Sequence, residues 1–498
     1  MRGHDRRSEA ACPCLAARDL RYTPVRVVEL ELDRPQELRA PGGLGPVVPS
    51  GRVSALVRLH GHPLGLVQAD GAAGDPAGLR RALVAAAYCE LPIPEQRSPE
   101  RHGPEQRRTG ERRRQQRRRE PWGPDPAAPT SRSGATVSVV VATHNRPQSL
   151  QRCLDSLLRT RYPGLEVLVV DNAPATAEAR ELVLTRYPPQ VRYLREPVAG
   201  LARAHNRGLA AAHGAVVAFT DDDTMVDPRW PSALADAFAT DRSVGCVTGL
   251  ILPAELETPA QAALEAHGGY AKGFAPRRWS LWEPPRGEPL FPFASGRFGS
   301  GANMAFRASL LRRLGGFDPA TGTGTPARGG DDLLAFFRVL TSGASLVYQP
   351  DAIVWHHHRR TLDAVPAQAF GYGVGFGAYL AAAVRHQPAA LPALLRVLPR
   401  GVGVALRGTG GRDAPRSPLA GASAAELARL QLRGLAYGPI GYLRSALQDR
   451  YGAGRGSGPR RGRGLGRGLG RRLGRGEGRG RGLPTTRTVR PGAAGPRR

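Results

Sequence analysis

The 498-residue chain has almost no lysine: Lys272 stands alone, and the other 70 basic residues are arginine. A P-loop requires Gly-Lys-Ser/Thr and a Schiff-base enzyme requires a reactive lysine. The sequence holds no such P-loop, so it excludes that route to nucleotide binding, and only Lys272 is left for Schiff-base chemistry. The arginine bias itself indicates a GC-rich genome rather than a function.

Cysteine and long apolar runs are also scarce. Five cysteines form an odd and sparse set, which argues against a disulfide framework and for a reducing compartment. No run of 18 apolar residues occurs, and the first 20 residues lack an apolar stretch typical of a signal peptide. The sequence therefore predicts a cytoplasmic protein, with the inner face of the cell membrane as a second possible site.

Positive charge is concentrated in two segments. Of the net +29, residues 101–119 contribute +7 and residues 451–498 contribute +13. Both lie in regions too poor in apolar residues to bury a core, which predicts an Arg-rich disordered linker over 95–135 and a disordered Arg/Gly tail over 451–498. Such segments suit peripheral contact with an anionic membrane. Nucleic acid is the less favoured partner because no aromatic residues interleave the tail's arginines.

The rest of the chain divides into a disordered start, a small α/β module, a large α/β domain and a helical annex. Their predicted bounds are 1–23, 24–94, 136–365 and 366–450. Within the small module, short apolar runs predict three strands and one helix. These lie over 25–32, 53–59, 64–68 and 77–89.

From residue 136 onward, buried strands alternate with amphipathic helices. The strands "TVSVVVAT", "LEVLVVD" and "AVVAFTDDD" are continuous apolar runs, and helical patterns separate them. This order predicts a doubly wound sheet, in which ligands bind beyond the carboxyl ends of the strands. Thr143, Asp171 and the triplet Asp221 to Asp223 all lie at such ends. We therefore expect one site there.

The Asp triplet is the most informative feature of this edge. Adjacent carboxylates repel, and a divalent cation such as Mg²⁺ or Mn²⁺ would offset that repulsion. The alternative is a solvated turn in which Asp227 caps the next helix. No Gly-x-Gly-x-x-Gly loop follows the first strand, which argues against a dinucleotide-binding fingerprint.

Five stretches in order resemble a family 2 glycosyltransferase of GT-A fold. They are "VSVVVATHNRPQSLQRCLDSLL", "LEVLVVDNAP", "GLARAHNRGLAAAHGAVVAFTDDD", "GSGANMAFRASLLRRLGGFDP" and "GGDDLLAFFRVLTSGASLVYQPDAIVWHHHR". The resemblance implies a GT-A nucleotide-sugar-binding sheet, flanked here by the small N-terminal α/β module and the C-terminal helical annex. It also implies inverting transfer from a nucleotide-sugar donor to a glycan or lipid-linked acceptor, with Mn²⁺ or Mg²⁺.

The same resemblance assigns site residues by position. The nucleotide-sugar-binding set is Thr143, Asn145, Arg146, Asp171, Arg203, Asn206, Asp221 and Asp222. The metal set is Asp221, Asp223 and His356. Asp332 corresponds to the general base, and Asp331 stands where the family more often has Glu. The alternative for these two acids is capping of the helix that follows them.

A rival function from another class stays open at this point. The chain could act through its Arg-rich segments as a nucleic-acid- or membrane-binding protein whose transferase domain is degenerate. The carboxylate set separates the two hypotheses, because a degenerate domain has no need of Asp171, Asp221, Asp223 and Asp332 together.

Overall fold

A computed structural model describes residues 24–93, 134–160, 162–268, 270–408 and 424–453. The predicted disordered N-terminus 1–23 lies outside these residues, as do nearly all of the predicted linker and tail. The structure thus describes the small module, the large α/β domain and the helical annex.

The small module is a five-stranded sheet covered by one helix. Its strands follow the spatial order β3-β2-β1-β4-β5, with β1 parallel to β4. They are β1 (Arg26–Glu31), β2 (Leu38–Arg39), β3 (Pro46–Val47), β4 (Gly51–Leu59) and β5 (His62–Gly71). Helix α1 (Pro76–Glu90) begins where the Asp75 carboxylate accepts a hydrogen bond from Gly78 N at 2.7 Å. The predicted strands and helix are confirmed, and β2 and β3 are additional.

The large domain is built on one mixed sheet. Its strands follow the order β10-β14-β11-β13-β9-β6-β7-β8, and β12 pairs with β14. The strands are β6 (Val137–Thr143), β7 (Leu165–Asn172), β8 (Val191–Glu196), β9 (Val216–Asp221), β10 (Thr224–Val226), β11 (Val244–Pro253), β12 (Arg277–Trp279), β13 (Met304–Arg307) and β14 (Ser345–His356). Strands β9, β6, β7 and β8 are parallel, so their carboxyl ends share one edge.

Helices cover both faces of this sheet. They are α2 (Pro147–Leu158), α3 (Glu178–Arg186), α4 (Leu201–Ala211), α5 (Trp230–Thr240), α6 (Pro259–Gly268), α7 (Ala308–Arg313) and α8 (Asp331–Thr341). Leu154 of α2 and Trp230 of α5 are buried in the core on one face. Leu209 of α4 and Phe336 of α8 are buried in the core on the other. The predicted doubly wound arrangement is confirmed.

Three further helices form the annex: α9 (Ala364–His386), α10 (Leu391–Gly408) and α11 (Ala424–Ala453). Tyr379 of α9 packs against Phe337 of α8 with ring centroids 6.1 Å apart, and Tyr442 of α11 is buried in the same cluster. This apolar contact fixes the annex on the helix that carries Asp331 and Asp332. Among the described residues, none of the helices combines the length and apolar character needed to span a bilayer.

Candidate active site

The Asp triplet turns the chain from a central strand to an edge strand. Strand β9 ends at Asp221, and β10 begins at Thr224 and pairs antiparallel with the end of β14. In that register Thr224 lies opposite His356, and His357 N donates to the carbonyl oxygen of Asp223 at 2.9 Å. The turn therefore brings two triplet carboxylates beside a histidine more than 130 positions later in the chain.

Asp221, Asp223 and His356 can hold one metal ion. Each offers one ligand atom, and the three atoms lie within 4.8 Å of one another. Among the described residues, the buried Asp223 Oδ1 has no hydrogen-bond partner, although His356 Nε2 lies 3.3 Å from it. Two carboxylate oxygens and an imidazole nitrogen suit Mn²⁺ or a related divalent ion. The donor set and the orphaned oxygen both fit the predicted cation.

The middle aspartate is turned away from this group. Asp222 is fully buried. Its Oδ2 accepts a hydrogen bond from Thr143 Oγ1 at 2.7 Å, and its Oδ1 lies 2.9 Å from Arg146 Nη2. Arg146 also donates to Asp223 Oδ2 at 2.8 Å. Asp222 is thus placed to hold Thr143 and Arg146 beneath the metal group rather than to face a ligand.

Burial and neighbouring charges separate the pKa values of the three acids. Burial, then the charge of Asp223, raises the pKa of Asp221 to about 6. Burial, despite Arg146, raises the pKa of Asp222 to about 7. Burial also acts to raise the pKa of Asp223, but His356 and Arg146 outweigh it and hold that pKa below its usual range. The Asp223 carboxylate is therefore the one most firmly kept ionised.

A cavity of about 610 Å³ opens over this group. Thr143, Arg146, Asp221, Asp223 and His356 all line it, so the structure brings five predicted residues together. Further lining residues that the sequence did not single out include Asn172, Tyr270, Arg328, Arg359 and Tyr372.

Two other predicted residues lie at the rim without lining the cavity. Asp171 is buried opposite Thr143 in the sheet, and Tyr193 donates its hydroxyl hydrogen to Asp171 Oδ2 at 2.9 Å. Burial raises the pKa of Asp171. Asn145 adopts a positive φ of 54°, and its side-chain oxygen accepts from Ala175 N at 2.9 Å. The Asp171 contact joins β7 to β8, and the Asn145 contact joins the segment after β6 to the segment after β7.

The structure does not bring Arg203 and Asn206 to the cavity. Arg203 forms an ion pair with Asp449 of α11. The Asn206 side chain forms two hydrogen bonds with the backbone of Phe317. Its Nδ2 donates to the carbonyl oxygen and its Oδ1 accepts from the N–H, both at 2.8 Å. Both side chains join α4 to neighbouring segments. Their assignment to nucleotide binding stays a prediction that no contact here supports.

Asp332 is the second residue of helix α8, and it is not among the residues that line the cavity. Its Oδ2 accepts from Gly301 N and its Oδ1 from Leu333 N, both at 2.8 Å. Burial, then the charge of Asp331, raises the pKa of Asp332 to about 7, and Asp221 raises it further. A carboxylate that titrates near neutrality is suited to general base catalysis.

Asp331 does not cap helix α8. The helix is preceded by Gly330 in the left-handed region at φ 86°, with no side-chain cap. Asp331 is instead buried, and its Oδ2 lies 3.3 Å from Nδ1 of the buried His205. Asp331 therefore does not cap α8, whereas Asp332, also inside the helix, accepts one first-turn N–H, that of Leu333.

Comparison with known proteins identifies the central part of the chain. The sequence model of Glycosyl transferase family 2 matches residues 138–315. The chain contains a family 2 glycosyltransferase domain. The sheet that contains most of the matched residues has its carboxylates at the strand ends, as the predicted doubly wound arrangement requires.

Several glycosyltransferases resemble the chain over part of its length. It is 31% identical over 274 residues to a pre-mycofactocin glycosyltransferase of Mycobacterium tuberculosis, covering 54% of this chain and 52% of that protein. It is 28% identical over 261 residues to the O-antigen biosynthesis protein RfbC of Myxococcus xanthus, covering 50% of this chain and 19% of that protein. The chain thus spans about half the length, or less, of these two relatives.

Among solved structures, a mannosyltransferase of Pyrobaculum calidifontis in complex with GDP-Man and Mn²⁺ is similar at a TM-score of 0.37. Its sequence identity is 22%, and the match covers 69% of this chain and 94% of that chain.

Sequence reasoning missed two of the arginines that line the cavity over the metal group. Arg328 and Arg359 line it together with Arg146. Both stand next to motifs already recognised, Arg328 before the "GGDD" acids and Arg359 after the three histidines. Proximity to those motifs was the available signal. No such signal marks Tyr270, which lies between α6 and β12, or Tyr372, which lies in α9 of the annex.

Proposed function

We propose that the chain is an inverting glycosyltransferase that moves a sugar from a nucleotide-sugar donor to a hydroxyl of a glycan or lipid-linked acceptor. The observation that carries the proposal is the group formed by Asp221, Asp223 and His356, set in a cavity of about 610 Å³ within a family 2 domain. The Mycobacterium relative, named a glycosyltransferase, supports the same reaction class.

The donor's diphosphate requires positive charge where it leaves. A divalent cation, Mn²⁺ or Mg²⁺, held by Asp221, Asp223 and His356 would neutralise that charge. Arg328 and Arg359 add fixed positive charge to the cavity wall. The nucleoside would lie toward the ends of β6 and β7, where polar groups of Thr143 and Asn172 border the cavity.

Asp332 supplies the base in this mechanism. The acceptor oxygen attacks the anomeric carbon on the face opposite the diphosphate, and its proton passes to the Asp332 carboxylate. The bond from the anomeric carbon to the diphosphate oxygen breaks, and the bonding electrons leave with the nucleotide. Attack from the opposite face inverts the anomeric configuration. A pKa of about 7 leaves much of the carboxylate free to accept a proton at neutral pH.

The first test is of the donor. A panel of nucleotide-sugars incubated with the protein and Mn²⁺ should yield one donor that is hydrolysed or transferred, and calorimetry should detect binding of the matching nucleoside diphosphate only with the metal. Asp223→Ala should abolish that metal-dependent binding, because it removes one of the three candidate ligands and the acid most firmly kept ionised. Glu181→Ala, which removes an exposed carboxylate on α3, should leave it unchanged. Equal affinity of wild type and Asp223→Ala would overturn the metal assignment.

No contact among the described residues supports the rival hypothesis of a nucleic-acid- or membrane-binding protein. The Arg-rich segments that would bind nucleic acid or membrane lie largely outside the described residues. The presence of Asp171, Asp221, Asp223 and Asp332 in one domain favours an enzyme. Peripheral membrane contact and a cytoplasmic location stay predictions.

A further inference from the structure

A second cavity lies in the annex, among helices α9, α10 and α11. It has a volume of about 900 Å³, which is within the range of small-molecule sites. Its walls are apolar almost throughout, with Phe376 and Leu380 from α9, Leu398 from α10, and Leu432 and Leu435 from α11. We call this cavity the annex groove.

The annex groove adjoins the cavity over the metal group. Tyr372 of α9 lines both cavities, with Gly371 on one side and Gly373 on the other. The hydroxyl groups of Tyr372 and Tyr270 are 2.5 Å apart. The ring of Tyr270 in turn packs edge-on against the metal-ligand candidate His356, with centroids 5.2 Å apart. Two aromatic side chains therefore separate the proposed reaction centre from the apolar groove.

We propose that the annex groove binds an apolar aglycone of the acceptor, an alkyl or aryl group attached close to the hydroxyl that receives the sugar. This inference rests on the proposed function and narrows its acceptor class. The donor's diphosphate requires positive charge and a metal site, and the first cavity offers arginines and the candidate metal ligands. An apolar group requires burial from water, which the annex groove offers next to that cavity. A wholly polar glycan would leave these apolar walls without a matching surface.

Two leucines on α10 provide a matched pair of variants. Leu398 lines the groove and is 46% exposed, whereas Leu395 is 57% exposed and is not one of the lining residues. Because both are largely exposed on the same helix, Leu398→Asp and Leu395→Asp should both fold, which melting curves verify. Leu398→Met is the conservative control.

The probes are octyl β-D-glucoside, below its micelle concentration, and methyl β-D-glucoside, which carry the same sugar and differ in the tail. Calorimetry on the wild type should show the octyl compound binding about tenfold or more tightly than the methyl compound, because only its tail is buried. Leu398→Asp should lose that preference, and Leu395→Asp and Leu398→Met should keep it. Nucleoside diphosphate binding with Mn²⁺ should be unchanged in all three variants.

Equal binding of the two glucosides by the wild type, or an unchanged preference in Leu398→Asp, would overturn the inference. So would a loss of binding to phosphatidylglycerol vesicles in both Asp variants with no preference for the octyl tail, which would make this face a membrane contact. If the octyl preference is present but no nucleotide binds with Mn²⁺, the proposed function fails while the apolar site stands.

Discussion

At the scale of single residues, the site depends on carboxylates held in unequal environments. Asp223 is kept ionised by His356 and Arg146, while burial raises the pKa of Asp332 to about 7. A firmly charged acid suits a metal ligand, and an acid that titrates near neutrality suits a base. The same residue type therefore serves two roles, because the surroundings differ.

Asp332→Asn tests the base. The amide keeps the shape of the side chain but cannot accept the acceptor's proton, so transfer should fall by about 10²–10⁴-fold. Metal-dependent nucleotide binding should persist, since Asp221, Asp223 and His356 are untouched. The measurements are the transfer rate and calorimetric affinity. Normal transfer by Asp332→Asn would remove this residue from the mechanism.

The pH profile gives a second test with a defined sign. The base works only when deprotonated, so kcat/KM of the wild type should fall as the pH drops through about 7. The charge of Asp331 contributes to the raised pKa of Asp332. Asp331→Asn should therefore lower that pKa and move the acid limb of the profile to lower pH, while leaving transfer active at pH 8. An acid limb that stays in place would show that Asp331 does not tune the base.

At the scale of elements, the small module holds the segment that follows the Asp triplet. Arg58 of β4 lies 2.6 Å from Asp227, just beyond β10, and 2.9 Å from Glu29 of β1. All three side chains are buried. One arginine thus joins two strands of the module to the segment that follows β10. The alternative in which Asp227 caps the next helix did not include this ion pair, although Asp227 Oδ1 also accepts from Arg229 N at 2.9 Å.

Arg58→Met should destabilise the protein strongly. Methionine fills much of the volume but leaves two carboxylates buried without a cation, which typically costs about 3–5 kcal/mol. Denaturant unfolding measures the loss. The control is Arg39→Met, whose pair with Glu37 is about half exposed on both sides and should contribute about 1 kcal/mol or less. Equal losses in the two variants would show that the buried triad is no more important than a surface pair.

Local patterns in the sequence predicted the parallel strands and the residues at their ends. Continuous apolar runs identify β6, β7 and β9, and their carboxyl ends meet because parallel strands share an edge. Thr143, Asp171 and Asp221 follow from that reasoning alone. The Arg58 contact with Asp227 does not, because it joins positions 169 residues apart through packing between two sheets.

The two acids of "GGDD" show a similar limit. Asp331 was a reasonable helix cap on residue type, but the left-handed Gly330 shifts the helix start, and His205 from another helix approaches Asp331. Neither effect leaves a local pattern. The role of His356 came from the family resemblance, since its pairing opposite Thr224 depends on the antiparallel register of β10 and β14.

At the scale of the whole molecule, positive charge and catalytic chemistry lie in different parts of the chain. The tail 451–498 carries +13 of the net +29, whereas the transferase domain carries the strand-end carboxylates. Asp449, near the end of α11, is paired with Arg203 of α4. A truncation that respects the fold must therefore keep α11 and begin after Ala453.

Deleting residues 454–498 tests whether the basic tail contributes to sugar transfer or to membrane binding. The deletion lowers the net charge from +29 to +16 and leaves every described helix, strand and cavity residue in the chain. Transfer to a water-soluble acceptor should stay within about twofold of the full chain. Binding to phosphatidylglycerol vesicles should weaken, and the difference between the two proteins should shrink as salt rises, because screening shortens the reach of the tail's charges. Sedimentation with vesicles at low and high salt measures the vesicle binding.

A large loss of turnover on the soluble acceptor would show that the tail takes part in catalysis. Vesicle binding unaffected by the deletion would assign membrane contact to another surface of the molecule.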